Sequence, residues 1–98
     1  MRSSATVVTP NAHRYMVQLC KHFGHKAPAE WSDHEGRIRF EIGEAALRAA
    51  PETLMLVASA PDPERLARLE QVMDSHLKRF AFREPEMAVE WRRGSGPN

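Results

Sequence analysis

Chemistry-bearing residues gather in two places along the chain. The run Leu19-Cys20-Lys21-His22-Phe23-Gly24-His25-Lys26 holds two imidazoles, a thiol and two lysines. His76-Leu77-Lys78-Arg79-Phe80, with Arg83 close behind, adds a third imidazole and three more cations. An imidazole exchanges protons near neutral pH, ligates metals and hydrogen-bonds through either ring nitrogen. His76 falls among the apolar positions of its segment, where it must be hydrogen-bonded or liganded to be tolerated.

Three chemistries can be set against these residues. On an ideal helix of about 100° per residue, His22 and His25 stand about 60° apart and share a face, provided the helix runs through Gly24. His76 would complete a metal set of His22, His25 and His76 if its helix packed alongside. Cys20 and His22 are about 200° apart by the same rule and cannot grip one ion. No carboxylate has matching spacing, so metal is the weaker reading and no cofactor is expected. Anion binding uses the cluster differently. Lys21, His22, His25, His76, Arg79 and Arg83, with Lys26 and Lys78 nearby, offer donors and positive charge without a carboxylate or thiolate. The plainer account is that cations collect at helix C-termini, where the dipole favours each by about 0.3–1 kcal/mol.

Nucleophilic catalysis is the third chemistry, with Cys20 attacking and a histidine as base. Against it, Cys20 lies at the edge of an apolar stripe, where a cysteine is usually an inert small hydrophobe. Asp74-Ser75-His76 contains triad letters, but neighbours on a helix point in different directions. The sequence has no glycine-rich phosphate loop, no Cys-x-x-Cys and no nucleophile elbow. No catalytic residue is assigned.

The elements that must position these residues follow from periodicity. Ala5-Thr6-Val7-Val8-Thr9 is β-branched and stopped by Pro10, so it reads as a strand. Asn11 is placed to cap a helix whose stripe is Ala12, Tyr15, Met16, Leu19, Cys20 and Phe23, ending near Gly24 and before Pro28. Ala29 to Ser32 is a short strand, turned by Asp33-His34-Glu35-Gly36. Arg37 to Ile42 then alternates charged and apolar residues like a half-buried antiparallel strand. Glu44 to Ala49 has helical composition but the length and place of a hairpin arm. Leu54 to Ser59 is apolar on both faces. Asp62-Pro63 opens a second helix with the stripe Leu66, Leu69, Met73, His76, Leu77 and Phe80. Met87, Val89 and Trp91 alternate as a final strand.

The expectation is therefore an α+β fold: a single two-layer domain in which two helices cover one face of a mainly antiparallel sheet, in the order β-α-β-β-(β)-β-α-β. Residues 5–93 should be ordered, with 94–98 as a tail. Leu19, Phe23, Ile38, Phe40, Leu56, Leu69, Met73, Leu77, Phe80 and Val89 are the expected core. Because Met55 and Val57 alternate with Leu54 and Leu56, one apolar set must face away from the helices. A homodimer through the sheet is expected from this.

Bulk properties narrow the function. With 98 residues there is room for one core, and 42% hydrophobic against 28% charged residues is ordinary for a globular chain. A net charge of +1 spread over 14 basic and 13 acidic residues gives no concentrated positive field, so general nucleic-acid binding is not expected. One cysteine excludes an internal disulfide and fits a reducing compartment. No stretch has the apolar length of a signal peptide or membrane span, so a cytoplasmic protein without membrane attachment is expected.

The two histidine-bearing segments, together with Gly36-Arg37-Ile38 and the continuation Ala81-Phe82-Arg83-Glu84, resemble a bacterial family called domain of unknown function 2218. The resemblance covers nearly the whole chain in order. It implies a small bacterial protein and, because similar domains occur beside or fused to siderophore-interacting proteins, a role around iron acquisition. The family transfers no catalytic residues. Three functions follow as expectations. The first is an accessory protein that binds a small anionic ligand near the helix ends. The second is a small enzyme using His76 with His22 or Cys20, and the third is a subunit whose function lies in a partner.

Overall fold

The computed structural model describes residues 1–94. In chain order the elements are β1 (Arg2–Val8), α1 (Ala12–Gly24), β2 (Ala29–Trp31), β3 (Glu35–Arg39), β4 (Glu44–Ala49), β5 (Thr53–Ser59), α2 (Pro63–Phe80) and β6 (Arg92–Gly94). Three tight turns link β2 to β5 as a meander. They are closed by Ser32 N–H on Glu35 O at 2.8 Å, Phe40 N–H on Gly43 O at 2.7 Å, and Ala50 N–H on Thr53 O at 2.9 Å. The first strand then slots beside β5, giving one sheet in the order β2-β3-β4-β5-β1-β6 with every neighbouring pair antiparallel.

Period-two alternation sends one set of side chains to the helices. Val7, Ile38, Leu47, Leu54 and Leu56 are almost wholly buried there, against Met16, Leu19 and Cys20 of α1 and Leu66, Leu69, Met73 and Leu77 of α2. Gly36 lets α1 settle onto β3, since a Cβ at that position would lie 2.7 Å from Cys20 Sγ. Asp62 caps α2 as its sequence predicts, its carboxylate accepting from Arg65 N–H at 2.8 Å. The fold expectation holds: α+β, two layers, both helices on one sheet face.

The opposite face is open and carries Arg37, Arg39 and Arg48 paired with Glu44, Glu30 and Glu35 at 2.8, 3.5 and 3.8 Å. Met55 and Val57 are the apolar set that turns away from the helices; Met55 is 42% exposed.

Several expectations need correction. The strand predicted to Ile42 stops at Arg39, because Phe40 and Gly43 exchange backbone hydrogen bonds in a turn. Consequently Phe40 is only half-buried, and Phe80 and Val89 likewise pack at the margin of the core. Asn11 starts α1 without a side-chain cap; its amide donates instead to Glu84 at 3.1 Å. Met87 to Trp91 is not a strand. Its apolar residues pack inward, but a cleft of about 360 Å³ lined by Thr6, Val8, Glu84, Glu86, Met87, Ala88 and Glu90 separates part of this segment from β1. Pairing begins only at Arg92, where β6 opens and runs to Gly94, and β1 begins at Arg2, three residues ahead of the Ala5 expected from sequence. The rest of the expected tail, 95–98, lies outside the described residues.

Candidate functional site

Packing of α1 on α2 brings the two histidine segments together. His22 occupies the last turn of α1, and its ring centroid is 5.1 Å from that of His76 on α2. Phe23 and Phe80 flank the pair: Phe23 lies 4.8 Å from His76, and Phe80 lies 5.7 Å from His22. Phe40 closes the inner side, 5.0 Å from Phe23 and edge-on to it. The His76 ring is held by its own helix, with Nδ1 2.8 Å from the Val72 carbonyl. A carbonyl only accepts, so Nδ1 carries the proton and the neutral ring keeps Nε2 as an acceptor.

The pair stands in a positive field. Partial burial first, then the charges of His76, Arg79, Lys26 and His25, hold the His22 pKa below its ordinary value. His25 follows the helix end as its C-cap, exposed, so it supplies charge at the margin of the pair. Helix α1 runs through Gly24, and His25 caps it in right-handed helical conformation, so the backbone continuity that a shared His22–His25 face needs is present. Among the described residues no group of three or more histidine, cysteine, aspartate or glutamate side chains is placed to hold a metal ion. Lys21 is exposed on α1, while Arg83 lies beyond α2 with its guanidinium 5.5 Å from the Phe82 ring centroid. Lys78 is paired with Asp74 at 3.2 Å. The cations that bear on His22 are thus Arg79, Lys26 and His25.

Cys20 belongs to the core. It is fully buried against Gly36, and burial pushes its thiol up to about 11. A thiol so protonated at neutral pH is a poor nucleophile. This removes Cys20 from the enzyme alternative and leaves only the imidazoles.

A second polar cluster escaped sequence reasoning. Glu84 Oε2 accepts from Thr9 Oγ1 at 3.0 Å, from Asn11 Nδ2 at 3.1 Å and from the Tyr15 hydroxyl. The Tyr15 contact, opposed by burial and aided by Asn11 and Thr9, holds the Glu84 carboxyl below its ordinary pKa. Burial, then the bond to Glu84, raises that of Tyr15. No local spacing could have revealed this cluster, because its donors and its acceptor come from opposite ends of the chain.

Relatives place these features in a family. The NMR structure of PA4090 from Pseudomonas aeruginosa is similar over 97% of this chain and 98% of that one, at 34% identity and a TM-score of 0.82. No curated protein matches the chain. The sequence pattern of the uncharacterised protein family conserved in bacteria, DUF2218, matches residues 4–92, and the chain belongs to that family.

Proposed function

We propose that this protein is a non-enzymatic accessory protein of the bacterial cytoplasm that binds a small anion at His22 and His76. One observation carries the reading: two imidazoles from different helices stand 5.1 Å apart. Arg79, Lys26 and His25 add to the charge that depresses the His22 pKa. Desolvation, then the charges around it, make the second proton of His22 costly while the field is uncompensated. A phosphate or polycarboxylate would compensate it and accept hydrogen bonds from both protonated rings. Binding is then linked to proton uptake and strengthens as pH falls. The iron-acquisition role implied by the family resemblance fits this chemistry, since many ferric chelates carry net negative charge.

Proton NMR titration of the five histidines, with and without phosphate or citrate, tests the reading. The His22 midpoint should rise when the anion is present, and His76→Ala should weaken the response far more than Cys20→Ala. If no resonance of His22, His25 or His76 moves with either anion, the cluster is structural.

A further inference from the structure

We propose that the open face of the sheet is the contact surface of a symmetric dimer, with a second copy of this chain as its occupant. The charge pattern on that face supplies the argument. Strand registers set three rows across it. In one outer row Glu35 of β3 stands opposite Arg48 of β4; in the other Arg39 stands opposite Glu44. The middle row runs Glu30, Arg37, Ala46, Val57 and Ser4. Along each charged strand the sign therefore reverses across the middle row, from Glu35 to Arg39 on β3 and from Arg48 to Glu44 on β4.

A two-fold axis lying along the middle row lays each strand over its own copy run in reverse. Glu35 then faces Arg39 of the second copy, and Arg48 faces Glu44. Symmetry makes each pairing occur twice, so an isologous contact gathers four opposite-charge pairs. Ala46 and Val57 lie on the axis and meet themselves, forming an uncharged centre. Arg37 and Glu30 also lie on it, one strand spacing of about 4.8 Å apart, so their long side chains can interleave with the opposite charge of the other copy. Arg2 faces neutral Thr6, and Arg92 at the end of the row is the unmatched charge. An axis along the strands, between β4 and β5, would instead set Arg39 against Arg2. The charges therefore select one orientation as well as a partner.

Shape agrees with charge. A groove of about 610 Å³ lies over β3 and β4, lined by Glu35, Arg37, Ala46, Arg48, Met55 and Val57. The proposed axis directs Arg39 and Glu44 of the second copy into it.

Sedimentation velocity of the full chain over a range of concentrations is the test. A dimer should appear at high micromolar concentration in low salt, and its dissociation constant should rise about tenfold in high salt as the ion pairs are screened. Position 57 gives a sharper criterion because it meets its own copy. Val57→Glu and Val57→Lys should each be monomeric, and their equimolar mixture should dimerise. Amide NMR spectra check that both variants fold; if either does not, Arg39→Glu, on an exposed side chain, should abolish the dimer in its place. A wild-type monomer at high micromolar concentration overturns the proposal. A dimer indifferent to these substitutions overturns it equally.

Discussion

The Glu84 cluster and the His22–His76 pair both place polar groups in the helical layer, yet one is closed and the other open. One carboxylate oxygen at Glu84 takes three donors, from Thr9, Asn11 and Tyr15, and charge and hydrogen bonding agree. At the histidines the charges are alike, Nε2 of His76 keeps an unused lone pair in the neutral ring, and His22 is exposed. A saturated cluster fastens the fold; an unsaturated one is left for something else to complete.

Breaking the closed cluster should have the largest effect. Glu84→Ala strands three donors, two of them on buried residues, and should cost about 3 kcal/mol in denaturant unfolding. That corresponds to a melting point lower by roughly 12–24 °C for a domain of this size. The same cluster predicts an acid limit. The folded pKa of Glu84 lies below the ordinary 4.5, so its contribution is complete above that pH and fades as pH falls through the folded value. Acid unfolding of Glu84→Gln should be shallower than that of the wild type.

Next comes the seat of α1 on the sheet. Gly36→Ala drives a methyl group to within 2.7 Å of Cys20 Sγ and should cost about 2 kcal/mol. Adding Cys20→Ala should return part of that loss, and a purely additive double mutant would place the strain elsewhere. His22→Ala should have the smallest effect on stability, within about 0.5 kcal/mol, because the side chain is exposed. The anion response of His76 should nevertheless disappear. A large loss of stability there would make the open cluster another fastening and erase the contrast.

Periodicity disclosed much of this architecture because it is a local property. Alternation at Arg37 and Ile38, and the three-and-four spacing from Tyr15 to Phe23, report which side chains share a face without knowledge of the partner. The meeting of His22 and His76 could be anticipated, since both lie on or beside a stripe and two stripes on one sheet face come together. Misreadings arose where a distant residue overrode the local pattern. Asn11 has the composition of a cap but is claimed by Glu84. Met87 to Trp91 has the alternation of a strand, yet two successive turns, Glu84 N–H on Ala81 O and Met87 N–H on Glu84 O, set its path before pairing begins. Cys20 was legible as a small core hydrophobe from its place at the edge of the stripe; the Gly36 backbone pressed against it, on a distant strand, was not.

The place of β1 has a kinetic consequence. It is an interior strand whose neighbours are β5 and β6, so its ladders close only after most of the chain is present. The β2 to β5 meander can pair locally, with α1 beside it, while β1 waits. Long loops must close before β1 gains any hydrogen bond, which raises contact order and slows folding relative to a domain built from neighbours alone. During synthesis the segment Ala5 to Val8 would remain unpaired until β5 arrives, and Arg2 to Ser4 would wait for β6 to complete their second ladder. The first strand to be made is then among the last to be secured.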